Sequence, residues 1–110
     1  MSAFFESEII KDALDDINKL QEDVYGKLVH FHMMTYDEQI DHVYKLTQLL
    51  YKQRIMYTRL SLSDDPDAVV MKESLNKTVT MMGYPEGTDI AVLFKNMHAT
   101  IDALKEFLET

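Results

Sequence analysis

The run Tyr57-Thr58-Arg59-Leu60-Ser61-Leu62-Ser63-Asp64-Asp65-Pro66 dictates a turn, and the apolar spacing on both sides of it dictates helices laid back from that turn. Serine and aspartate oxygens can accept the first free amides of a helix, and Pro66 suits a first helical turn, where its nitrogen needs no partner. Ser63 or Asp65 is therefore expected to cap the following helix. This feature is architectural and carries no chemistry.

Before the turn, Ile10, Leu14, Ile17, Leu20, Val24, Leu28 and Phe31 recur at three and four, which predicts one long amphipathic helix from Phe4 to about Phe31. Gly26 weakens its last turns. Thr35 followed by Glu38 is a capping-box pattern that starts a second helix, running to about Leu60. Its Ile40, Val43, Leu46, Leu50 and Tyr57 form one stripe, but Tyr44, Leu49, Tyr51, Ile55 and Met56 spread apolar area well beyond it. Such a helix is covered on more than one side, by its own bundle or by a partner. It is the expected central helix.

After Pro66, the residues Ala68, Met71, Leu75, Val79 and Met82 mark a shorter third helix, closed by Gly83 where a left-handed residue is commonly needed. Tyr84-Pro85-Glu86-Gly87 breaks the chain again. Thr88 or Asp89 then caps a fourth helix carrying Ile90, Leu93, Met97, Ile101, Leu104 and Leu108. The expectation is an all-α fold: four helices in an antiparallel, bundle-like arrangement, the two N-terminal helices longer, forming a single helical domain over residues 1–110. The mismatch in helix lengths argues for a homodimer.

Composition bounds the function. A chain of 110 residues is one domain's length, and its lack of cysteine excludes thiolate zinc sites and thiol nucleophiles. No apolar run is long enough for a bilayer, so the expected setting is soluble and cytoplasmic, without membrane contact. The formal net charge of −8 opposes broad binding to nucleic acid. The exception is a basic stripe, Lys45, Lys52 and Arg59, recurring every seven residues with no acid between Asp41 and Asp64. Seven residues drift only about 20° around a helix, so the three share a direction. They support an alternative reading as a small nucleic-acid-binding module. Glu8, Asp15 and Glu22 repeat at sevens on the first helix, but both stripes point away from their own apolar faces, which favours solvent or another subunit over bridges within the hairpin.

Catalytic motifs are absent: no Glu-x-x-His pair precedes any of His30, His32, His42 or His98, and no phosphate or dinucleotide glycine loop occurs. Glu38 and Asp41, with Asp12 and Asp15, have the acid-x-x-acid spacing of magnesium-dependent nucleotide pyrophosphohydrolases, a spacing that is cheap in an acidic helix. His30, His32, Met33 and Met34, with His42 nearby, form a set that can attract copper; gap-filling methionines and helix-end histidines are the commoner explanation. No cofactor, no metal and no catalytic residue is assigned.

Phe4-Phe5-Glu6-Ser7-Glu8-Ile9-Ile10, the Tyr57–Pro66 run and Met81-Met82-Gly83-Tyr84-Pro85 together resemble a small helical family of cyanobacteria and their phages, catalogued as a domain of unknown function. The resemblance implies a cytoplasmic setting in a bacterial host and a phage-encoded copy acting on host physiology. It brings no catalytic residues. The reading that follows is a non-enzymatic adaptor or regulator that presents a helix face to a protein partner, with Lys45, Leu49, Lys52, Ile55, Met56 and Arg59 as the expected interaction surface.

Overall fold

The computed structural model describes residues 3–109 as α-helices and one short 3-10 turn. A short α1 (Ala3–Glu6) leads into α2 (Glu8–Leu28); the 3-10 turn (Phe31–Met33) connects to α3 (Tyr36–Leu62), then α4 (Pro66–Met81) and α5 (Ile90–Glu109) follow. No strand occurs among the described residues. The domain measures 46 × 34 × 20 Å.

The expected first helix is broken. Ser7 is extended (φ −61°, ψ 132°), which turns α1 off the axis of α2. Phe4 and Phe5 gain from the break: they pack edge to face at 5.0 Å and lie against the cluster between α2 and α3. At the other end α2 stops at Leu28, two residues after Gly26, and the 3-10 turn carries Phe31 back over α3. The Gln39 side chain holds that turn by donating to the Phe31 carbonyl at 3.0 Å.

The capping box forms as expected: the Glu38 amide donates to Thr35 Oγ1 at 3.2 Å, and the Thr35 amide to Glu38 Oε1 at 3.4 Å. At the central turn Asp65 Oδ1 accepts the Asp67 amide at 2.9 Å, with Pro66 in the first turn of α4. Gly83, at φ 102°, ends α4 in a conformation that a side chain would strain. Asp89 caps α5 through the Ala91 amide at 2.8 Å.

Helix α3 is the centre. It lies antiparallel to α2, where Lys45 meets Asp23 and Lys52 meets Asp16, and antiparallel to α5, where Tyr57 meets Phe94 and Tyr44 meets Lys105. Two buried clusters share it. Ile10, Ile17 and Val24 of α2 enclose Leu49 and Met56, while Val79 of α4 and Ile90, Phe94 and Ile101 of α5 enclose Val43, Leu50 and Tyr57. The wide apolar surface of α3 is thus covered from two sides by its own chain.

That packing corrects the expected interaction surface. Leu49 and Met56 are only 3% and 7% exposed, taken up by α2 within the monomer. Ile55 and the partly exposed Arg59 stay on the outer face of α3. The lengths of α2 and α3 leave no bare core-facing stripe, so helix length no longer argues for a second subunit.

A candidate protein-docking groove

On one side of α3 the helices do not close. Gln53, Met56, Tyr57 and Leu60 form the floor of a groove of about 480 Å³; Leu14, Ile17 and Tyr25 of α2 make one wall, and Met71, Leu75, Thr78 and Met82 of α4 with Leu93 and Met97 of α5 make the other. None of the lining side chains is charged, on a chain in which 27% of residues are. Tyr25, Met71 and Met82 are exposed at its lip. Thioether side chains are flexible and polarizable, so a wall of Met71, Met82 and Met97 can fit apolar surfaces of different shape.

The floor is rigid where α3, α4 and α5 meet. The Tyr57 hydroxyl donates to the Asp89 carboxylate, 2.9 Å from either oxygen, and Asn76 Oδ1 accepts the Ile90 amide at 3.0 Å. Burial pushes the Tyr57 phenol up, and its bond to Asp89 adds to the shift, so the side chain stays neutral. One tyrosine thereby serves the core with its ring and the start of α5 with its hydroxyl.

Two of the three cations of the basic stripe are engaged. Lys45 bridges Asp23 at 3.1 Å and Asp41 at 3.3 Å, and Lys52 pairs with Asp16. The Lys45–Asp23 and Lys52–Asp16 bridges cross the α2–α3 hairpin, contrary to the expectation that the basic stripe would meet solvent or another subunit. The acids are Asp16 and Asp23, each one residue after the members of the expected stripe; Asp15 instead pairs with Lys19 along its own helix. Ile17 and Val24 sit in the α2–α3 contact, so the residue before each flanks that contact and reaches across. Hydrogen bonds from Lys45 and then Lys27 hold the Asp23 carboxyl below its ordinary range. Arg59 makes no ion pair with another described residue.

The family model for "Domain of unknown function (DUF1825)" matches residues 2–108. The chain belongs to that family. Comparisons with curated proteins and with solved structures give no match.

In this DUF1825 member the other candidate groups are dispersed or engaged. Glu38 is held in the capping box and Asp41 by Lys45. No group of three or more His, Cys, Asp or Glu that could hold a metal comes together among the described residues. His30, His32 and Met33 are exposed, while His42 is 2% exposed and tilted against Phe31 at 5.4 Å. Neither ring nitrogen of His42 has a hydrogen-bond partner among the described residues. The groove itself is invisible to helical periodicity, because it is a gap between α2 and the α4–α5 pair. Its only trace in the sequence is methionine at Met71, Met82 and Met97, on the faces expected to be core.

Proposed function

We propose that the protein is a non-enzymatic adaptor or regulator that seats an apolar helix face of a protein partner in the groove between α2 and α4–α5. The observation that carries this reading is the uncharged, methionine-rich lining with Met71 and Met82 exposed at the lip. A partner helix presenting apolar side chains at three-and-four spacing matches such a trough, and the flexible walls suit a partner over a rigid small molecule. The setting we propose is the cytoplasm of a bacterial host, with a phage-encoded copy acting on host physiology. Nucleic-acid binding ranks behind because Lys45 and Lys52 already face carboxylates.

The test is a pull-down from host lysate with mass spectrometry, run in parallel with Met71→Glu/Met82→Glu. Both side chains are exposed, so the double variant should keep its melting temperature and lose the partner. A partner retained by this variant and lost on reversing Lys45, Lys52 and Arg59 would transfer the function to the basic stripe.

A further inference from the structure

The outer face of α3, opposite the groove, carries an apolar strip that stays largely exposed, although Lys105 of α5 reaches over the Tyr44 ring. Tyr44 and Tyr51 are 52% and 60% exposed, and Ile55 continues the same line. Gln53 faces the groove; Tyr51, two residues earlier and about 200° around the helix, faces away from it. The strip is unrelated to the groove and to any partner that the groove would hold.

Beside the strip runs a line of charge with opposite signs at its ends. Asp37 stands eleven residues before Gln48 and Arg59 eleven after it. Eleven residues are almost a whole number of turns, so the three side chains lie along one edge of α3. Neither Asp37 nor Arg59 has an ion pair among the described residues, whereas Lys45 and Lys52 do. The edge is complementary to its own reversed copy. If a second α3 lies antiparallel with the two-fold axis at Gln48, Asp37 of each copy meets Arg59 of the other, Tyr44 meets Tyr51, and Ile40 falls beside Ile55.

We infer that the outer face of α3 is the isologous interface of a two-fold dimer, with Gln48 on the axis and two Asp37–Arg59 pairs at its ends. A single patch repeated in this way is what closed two-fold symmetry requires. Charge complementarity selects the occupant: an unrelated protein would have no reason to match this polarity at this spacing, while a second copy must. Aromatic side chains bordered by ion pairs are also the usual make-up of such contacts. Each dimer leaves both grooves facing outward.

The chain has no cysteine, so a single introduced thiol reports the axis without background. Gln48→Cys should form an intermolecular disulfide under mild oxidation, and Ser74→Cys, exposed on α4, should not. Sedimentation of the wild-type chain at micromolar concentration should give the dimer mass. Arg59→Asp should weaken the dimer about tenfold or more by setting like charges together, and Asp37→Arg combined with Arg59→Asp should restore it. All these positions are surface ones, so circular dichroism should be unchanged. A monomeric wild-type chain, equal crosslinking from Ser74→Cys, or a charge swap that fails to restore association would each overturn the interface. Loss of partner capture by the Met71→Glu/Met82→Glu variant would leave it untouched.

Discussion

Asp65 ties the first turn of the chain to the start of α4: its Oδ2 accepts the Phe4 amide at 3.0 Å, while its Oδ1 accepts the Asp67 amide at 2.9 Å. One carboxylate thus satisfies two helix starts, one of them at an amide 61 residues before it in the chain. A substitution can separate the two roles. Asp65→Asn keeps an oxygen for the cap but has only an NH₂ to offer the other amide, so it should loosen α1 and leave α4 nearly intact. Asp65→Ala removes both and should cost about 1–2 kcal/mol. Amide exchange should therefore rise at Phe4 alone in the first variant, and at Phe4 and Asp67 in the second.

Leu49 distinguishes a core position from an interface one. Leu49→Ala should destabilise the chain by about 2–5 kcal/mol in denaturant titrations, to the same extent at every protein concentration. Tyr51→Ala, on the outer face, should change the stability of the folded monomer by less than about 0.5 kcal/mol.

His42 gives stability a pH dependence. Burial holds its imidazole below the ordinary value of 6.5, with Lys27 adding to the effect and Asp23 opposing it. The unfolded chain takes up a proton near that value while the folded chain remains neutral, so the unfolded state binds more protons and stability falls as the pH drops. The loss begins as pH falls through 6.5 and levels off below the folded value. Urea midpoints measured from about pH 7.5 to 5 should show this slope, and His42→Leu should flatten it.

The cross-hairpin bridges predict weak binding to polyanions. Phosphate contact by Lys45 or Lys52 would first have to displace Asp23, Asp41 or Asp16. Duplex DNA and single-stranded RNA should therefore fail to bind at micromolar protein in dilute buffer. Asp16→Asn with Asp23→Asn and Asp41→Asn removes every carboxylate that Lys45 and Lys52 pair with and lowers the negative charge, and should produce salt-sensitive binding where the wild-type chain has none.

The helices, their caps and the central place of α3 were legible because they depend on local chemistry: Thr35 with Glu38, Asp65 before Pro66, Gly83 after Met82. The side on which each helix meets its neighbour was not. Asp15 and Asp16 differ by about 100° around the helix, and periodicity alone does not fix the rotation finely enough to choose which one reaches Lys52. Leu49 and Met56 were misplaced for the same reason, since their stripe belongs to a second neighbour and not to a second subunit. The break at Ser7 needs Asp65 to stabilise it, a partner far away in sequence. The groove is a property of what fails to touch, and no local pattern reports it.

The two buried clusters share α3, and among the described residues α2 packs in just one of them. Native structure should accordingly come apart in steps: α3, α4 and α5 form the slowest-exchanging unit, while α2 opens at lower free energy, taking Leu14, Ile17 and Tyr25 with it. The wall of the groove is then its hinged side. Asp16–Lys52 and Asp23–Lys45, both partly exposed, are the charge contacts along that side, so added salt should loosen α2 before the rest of the fold.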